Sequence, residues 1–202
     1  KGQGRFTVQL AKGAAPRLTL TSDLKGLTLR LPEIGWAKGP GTAGKLELAA
    51  SLGKPVAVER LALSGAGLTA EGKVSLTAAG GLDRITLPKL SIGDWFRGAA
   101  VLKARGRGQS PAVEVTEGRL DLRNLPEFGS SKGGGGGSTP ISARLNRVQV
   151  TESIALDGFS GKFGTQGGFN GSFAAALNGQ APLRGTVVPA QGGTAIRVQS
   201  KN

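Results

Sequence analysis

The sequence predicts an all-β protein, an antiparallel meander whose strands curl into a U-shaped, groove-like sheet with an apolar concave face. Apolar and polar residues alternate with a period of two along nearly the whole chain. Turn residues interrupt this alternation at a spacing of roughly 8–14 residues, as they do in all-β domains. The one helix-compatible segment, residues 93–98, is about one turn long. A two-sheet β-sandwich is the alternative architecture.

The alternation continues on both sides of a glycine-rich segment. The longest alternating run extends from Leu68 to Ala78, and a one-residue phase slip at Glu59-Arg60 predicts a β-bulge or a tight turn. Five glycines at 133–137 contribute no side chains to a core and predict a flexible loop at about residues 129–140. Because the same pattern resumes after this loop, residues 1–202 are interpreted as one β-groove segment.

A second phase shift predicts a hairpin. Val113 and Val115 lead through Glu117-Gly118 into Leu120, and a turn at this Glu-Gly pair would join two short strands.

The composition excludes several kinds of chemistry. The chain has no Cys and no His, so disulfides, soft-metal sites and His-dependent nucleophile pairs are excluded. Oxygen-only metal sites and carboxylate chemistry remain open in principle. The chain does not begin with Met, so we expect it to be a piece of a longer protein. No apolar run reaches the ~20 residues of a membrane helix.

Two short motifs resemble catalytic or cofactor sites, but strand structure explains them better. Gly65-Ala66-Gly67-Leu68-Thr69-Ala70 matches a dinucleotide fingerprint, which requires a helix after the glycines, whereas Leu68 begins an alternating strand. Ser22 to Lys25 and Ser51 to Lys54 match the S-x-x-K pattern without its companion segments. We therefore predict a hairpin turn at Ala66 and no catalytic residue in either S-x-x-K match.

The carboxylates near residue 117 resemble a polar sheet face more than a hydrolase site. Glu114, Glu117 and Asp121 are interleaved with Arg119 and Arg123. Cross-strand ion pairs on an exposed face explain this arrangement. We predict no enzyme activity, no metal site and no cofactor.

The net charge of +13 leaves anionic partners open. Lys103, Arg105 and Arg107 alternate on one strand, but the few aromatic residues do not interleave with them, as base stacking would require. A solvated outer face is the simpler interpretation, and no nucleic-acid partner is predicted.

The C-terminal third carries a more specific sequence pattern in its glycine-rich strands. A segment upstream of it carries a pattern of the same kind. The residues concerned are 148–163, 167–173, 185–189 and 194–200, with 87–125 upstream. These segments resemble the C-terminal region of large AsmA-like bacterial envelope proteins, the YhdP type in particular. The resemblance covers about half of the chain, and the first ~80 residues match only in their style of patterning.

This resemblance implies a location and a function. The parent protein would be anchored in the inner membrane of a Gram-negative bacterium, and this segment would lie in the periplasm. An apolar β-groove would carry phospholipid acyl chains between the inner and outer membranes, as a bridge-like lipid-transfer protein in outer-membrane biogenesis. Phospholipid and the two membranes are the expected partners. The alternative function is a ligand-free structural or interaction module of a cell-envelope protein.

The family has no catalytic motif. The property that the resemblance implies for this chain is therefore one apolar face of its sheet. The lipid-binding groove would be lined by Leu18, Leu20, Leu46, Leu48, Leu61, Leu63, Val74, Leu76, Leu120, Leu122, Val148, Val150, Phe169, Phe173, Val187, Ile196 and Val198. In the competing interpretation these residues form an ordinary core, covered by a second sheet or a helix.

Overall fold

A computed structural model describes residues 2–31, 36–126, 138–191 and 193–200. Within these ranges the chain forms 15 β-strands and a single 3₁₀ turn, with no α-helix. The prediction of an all-β protein is therefore confirmed. The chain divides into two compact units, the first made of residues 1–94 and 126–130 and the second of residues 95–125 and 131–202.

The first unit contains eight strands. They are β1 (Gly4–Gln9), β2 (Arg17–Ser22), β3 (Leu29–Leu31), β4 (Trp36–Lys38), β5 (Gly44–Ser51), β6 (Ala57–Gly65), β7 (Leu68–Leu76) and β8 (Leu82–Ile92). Its main sheet has the order β1-β2-β5-β6-β7-β8 with antiparallel neighbours, while β3 and β4 pair separately as a two-stranded sheet.

The second unit contains seven strands, in sheet order. They are β9 (Phe96–Lys103), β10 (Ala112–Asp121), β11 (Ile141–Gln149), β12 (Ala155–Gly164), β13 (Asn170–Leu177), β14 (Ala181–Ala190) and β15 (Gly193–Ser200), with the 3₁₀ turn at Leu122–Asn124. All strands except β3 and β4 are assigned to one mixed sheet of 13 strands. The described residues do not contain the second large sheet that the sandwich alternative requires.

The prediction of a purely antiparallel meander is wrong at one pair of strands. β10 and β11 run parallel, with Val113 opposite Ile141 and Leu120 opposite Val148. Parallel neighbours need a long connection because the chain must return to the starting end of the first strand. Residues 122–140 provide this connection, and residues 127–137, which contain all five glycines and most of the loop predicted at about 129–140, lie outside the described residues.

The predicted hairpin at Glu117-Gly118 is also wrong. β10 continues through both residues, and its pairing with β9 shifts by one residue between Val115 and Glu117. A bulge therefore produces the phase shift. One extra residue in a strand moves the apolar residues from odd to even positions, and a turn between two strands can leave the same pattern in the sequence.

Two other local predictions are confirmed. Ala66 and Gly67 have φ angles of 50° and 79° and connect β6 to β7 as a two-residue turn, with no helix after it. The pairing of β6 with β7 shifts between Val58 and Leu61, so the phase slip at Glu59-Arg60 is a bulge.

A buried lysine holds the small β3–β4 sheet in the first unit. The Nζ atom of Lys38 donates hydrogen bonds to the carbonyl oxygens of Leu24 (2.6 Å), Leu27 (3.2 Å) and Gly39 (3.1 Å). The residue is only 1% exposed, and these three acceptors use all three of its N–H donors. The indole Nε1 of Trp36 adds a 2.9 Å hydrogen bond to the Ala66 carbonyl oxygen.

The apolar core of the second unit is built around aromatic side chains and glycines that face one another across strands. Phe173 lies opposite Gly185 and Gly161, and its ring occupies the space that a Cβ on Gly185 would need. The rings of Phe159 and Phe173 stack with centroids 5.3 Å apart. Phe173, Leu183 and Val187 are buried in this cluster, so the glycines make room for the rings that fill it.

Candidate functional site

One face of the main sheet in the first unit is apolar along every strand. Strand pairing aligns Phe6, Leu20, Leu48 and Leu61 in one row across β1, β2, β5 and β6. A neighbouring row crosses the same strands and continues to β8 through Val8, Leu18, Ala50, Val58, Val74 and Ile85. Because side chains at alternate positions share a face, these rows form a continuous apolar surface.

All eight predicted groove residues of the first unit lie on this face. These are Leu18, Leu20, Leu46, Leu48, Leu61, Leu63, Val74 and Leu76, and each is half-buried. Adjacent side chains on a sheet cover part of one another, whereas a second packed layer would bury them almost completely. The middle of the face therefore keeps accessible apolar surface in this unit.

One end of the same face is covered. A Cβ on Gly44 would meet Leu24 and the Lys38 side chain, so the β3–β4 region lies over the sheet at this point. Leu68 and Ile92, which pair with each other at this end, are 3% and 4% exposed. The β3–β4 region thus closes this end of the face, and among the described residues the eight leucine and valine side chains named above stay half-buried.

The opposite face of this unit is polar and carries ion pairs. Glu47 accepts from Lys45 at 2.6 Å and from Arg60 at 3.2 Å, and these cations lower the pKa of its carboxyl below the ordinary value, the Lys45 hydrogen bond most strongly. Further pairs join Arg17 to Glu59 and Lys89 to Glu71. Such exposed pairs contribute little stability, but they keep this face hydrated.

The predicted groove residues of the second unit have more varied surroundings. Val148, Phe173 and Val187 are 3–8% exposed and are packed in its core. Leu120 is half-buried in β10, Leu122 lies in the 3₁₀ turn, and Val150 follows the end of β11. Phe169 precedes β13 and stacks on Phe163, while Ile196 and Val198 in β15 are more than half exposed. Strand pairing puts Leu120 opposite Val148 and places Phe173, Val187, Ile196 and Val198 on one face of β13 to β15, so these residues share faces but differ widely in exposure.

Several members of the apolar face were missed in the sequence. Phe6, Val8, Val58, Ile85 and Leu90 are in register with predicted residues but were not assigned to the groove. The bulges in β6 and β8 explain part of this omission. Each bulge shifts the alternation by one residue, so residues on the same face no longer follow one regular pattern in the sequence. For Phe6 and Val8, plain alternation with Thr7 was a usable signal.

Two of the three carboxylates that were weighed as a hydrolase site, Asp121 and Glu114, form ion pairs. Asp121 contacts Arg123 at 2.6 Å, and this hydrogen bond lowers the pKa of the Asp121 carboxyl, which stays ionised at neutral pH. Glu114 lies 2.6 Å from Lys103. In the described ranges, no three acidic, His or Cys residues are grouped so that they could hold a metal ion. The same ranges contain no helix with the length and hydropathy of a membrane span.

Comparisons with protein-family models, with curated proteins and with solved structures returned no match for the chain.

Proposed function

We propose that the apolar face of the first unit binds the acyl chains of phospholipids, and that the chain is a lipid-transfer segment. The observation that carries this proposal is the continuous apolar face of six strands whose central side chains are half-buried. A sheet with one apolar face must place that face against something other than water. An acyl chain lying across the strands would meet this requirement.

The physical basis is the removal of methylene groups from water. Each CH₂ group contributes about 0.8 kcal/mol when it is buried, so an acyl chain in contact with several leucines binds without any polar recognition. Because the rows of apolar side chains repeat from strand to strand, neighbouring positions offer a similar binding energy. A bound acyl chain can then shift along the face, because no single position binds it much more strongly than the next. The lipid headgroup remains in water.

The resemblance to AsmA-like proteins adds the cellular setting to this proposal. The segment would lie in the periplasm as a groove-like part of a bridge for phospholipid between the inner and outer membranes. Its parent protein would be anchored in the inner membrane. Neither an enzymatic activity nor a nucleic-acid partner belongs to this proposal.

A second candidate function is a ligand-free structural or interaction module of a cell-envelope protein. The close packing of the second unit favours it, since Val148, Phe173 and Val187 are buried against their neighbours and are not accessible to a ligand. For this reason the proposed lipid site is confined to the first unit.

Retention of phospholipid by the purified chain distinguishes the two functions. The full chain is incubated with phospholipid vesicles, re-isolated by size exclusion and extracted, and the lipid is quantified by mass spectrometry. The lipid-transfer proposal predicts at least about one phospholipid per chain, because several contacts of ~0.8 kcal/mol per CH₂ give a stable complex. Recovery of the chain free of lipid, at the level of a soluble control protein, would support the structural module instead.

A further inference from the structure

The second unit carries a cleft of about 1010 Å³ that is lined mostly by residues of the polar face of its sheet, with Phe173 of the apolar core also contributing to the lining. Strands β10 to β15 all contribute to its lining. Between the longer side chains, the residues that face the cleft are small: Ser142, Ser160, Ser172, Ala174 and Thr186. Their short side chains leave the space that the cleft occupies.

Four cationic side chains surround these small residues in two pairs. Arg144 and Lys162 are diagonal neighbours on β11 and β12, since Arg144 pairs with Ser160. Arg184 and Arg197 are diagonal neighbours on β14 and β15, since Thr186 pairs with Arg197. Diagonal neighbours in antiparallel strands lie about 7–8 Å apart.

A neutral strip separates the two pairs. β13 lies between β12 and β14, and the residues that it contributes to the cleft lining, Ser172, Phe173 and Ala174, are all uncharged. Long cationic side chains from both sides can reach a group placed above β13, because each carries its charge at the end of a flexible stem.

The four cations are exposed, and no carboxylate of the described residues pairs with them. Glu114 at the edge of the cleft already contacts Lys103. Clustered like charges repel one another, and a bound anion relieves this repulsion. On the polar face of the first unit, by contrast, Glu47 lies between two cations.

We propose that this cleft binds a small molecule carrying several phosphate groups, which would lie above β13. Arginine forks and lysine donate charge-assisted hydrogen bonds to phosphate oxygens, and the hydroxyls of Ser160, Ser172 and Thr186 add neutral donors. The cleft volume lies at the upper end of the range of about 300–1,000 Å³ for small-molecule sites, which is too large for a single phosphate ion. This site is separate from the apolar face of the first unit, so it does not depend on lipid transfer.

The phosphate groups can come from a soluble molecule or from a lipid headgroup, and two probes distinguish these sources. Titration calorimetry with tripolyphosphate measures binding of a soluble polyanion. Flotation with vesicles containing phosphatidic acid measures binding of a headgroup. Binding of tripolyphosphate identifies a soluble ligand, and binding of vesicles alone identifies a headgroup.

Paired substitutions assign the binding to the cleft. The variant with Arg184→Gln and Arg197→Gln removes one cation pair, and we expect it to weaken the binding at least tenfold, because two charge-assisted contacts are lost. The matched control carries Arg97→Gln and Arg119→Gln, which pair with each other in β9 and β10 outside the cleft lining. It loses the same net charge, and its affinity should change less than twofold.

Circular dichroism and urea unfolding verify that both variants stay folded. Three results would overturn the proposal: no binding of either probe to the unchanged chain, an equal loss of affinity in both double variants, or tighter binding of a single-stranded oligonucleotide than of tripolyphosphate. Equal loss would show that only the net charge matters. Preference for the oligonucleotide would indicate a nucleic-acid surface.

Discussion

Leu48→Asp is expected to reduce phospholipid retention at least tenfold while the first unit remains folded. Leu48 lies in the row between Leu20 and Leu61, at the middle of the apolar face, and is half-buried. A carboxylate at this position stays hydrated only if no acyl chain covers it, since burial of an unpaired charge costs several kcal/mol. Extraction and mass spectrometry of the re-isolated chain measures the effect.

Ala49→Asp is the matched control for this substitution. Ala49 is the next residue of β5 and is on the polar face, where its strand partners are Thr19 and Arg60. The variant introduces the same charge next to an arginine, so lipid retention should stay near that of the unchanged chain. Equal retention by a folded Leu48→Asp variant would contradict binding at the apolar face, and equal loss in both variants would show a general effect of charge.

Gly98→Ala is expected to lower the free energy of unfolding by about 3 kcal/mol, the upper part of the range for overpacking. Gly98 in β9 pairs with Gly118 beside the bulge of β10. A Cβ on Gly98 would lie 2.2 Å from the Glu117 carbonyl oxygen and 2.7 Å from the Gly118 Cα. These are backbone atoms, so the two strands must separate to admit a methyl group. Urea denaturation of the full chain measures the change.

Gly193→Ala provides the comparison within the same unit. Gly193 lies in β15, and a Cβ there meets nothing within 4 Å. The free energy of unfolding of this variant should lie within about 0.5 kcal/mol of that of the unchanged chain, as is usual for surface substitutions. If the two alanine variants unfolded at the same denaturant concentration, this result would contradict the claim that β9 and β10 lie too close together at the bulge to admit a methyl group.

The alternation of apolar residues was sufficient to predict the all-β class and most strands. It also placed Leu18, Leu48, Leu61 and Val74 on one face, because alternate residues of a strand share a face and hairpins keep neighbours in register. The turn at Ala66 was predictable for a local reason, since the flanking Gly65 and Gly67 readily adopt positive φ angles, although Ala66 between them adopts one as well.

The direction of β11 was not predictable from the same pattern. Alternation is identical whether a strand runs parallel or antiparallel to its neighbour, and the pairing of Val113 with Ile141 joins residues on both sides of the glycine-rich segment. The bulge of β10 was likewise ambiguous, because only its register with β9 distinguishes it from a turn at Glu117-Gly118.

The cleft of the second unit depends on register across several strands, which explains why the sequence did not indicate it. Arg144, Lys162, Arg184 and Arg197 are widely spaced along the chain and look like separate surface charges. They become two facing pairs only when β11 to β15 are aligned. The composition gives the amount of positive charge. The pairing of the strands determines where on the surface this charge is concentrated.

Photo-crosslinking along β6 tests the central claim most directly. A benzophenone side chain replaces Leu61 or Leu63 on the apolar face, or Arg60 or Ala62 on the polar face, in full chains loaded with phospholipid. The proposed lipid-binding face predicts lipid adducts at Leu61 and Leu63 and at most background levels at Arg60 and Ala62. Adducts of equal yield at all four positions, or at none of them, would contradict it.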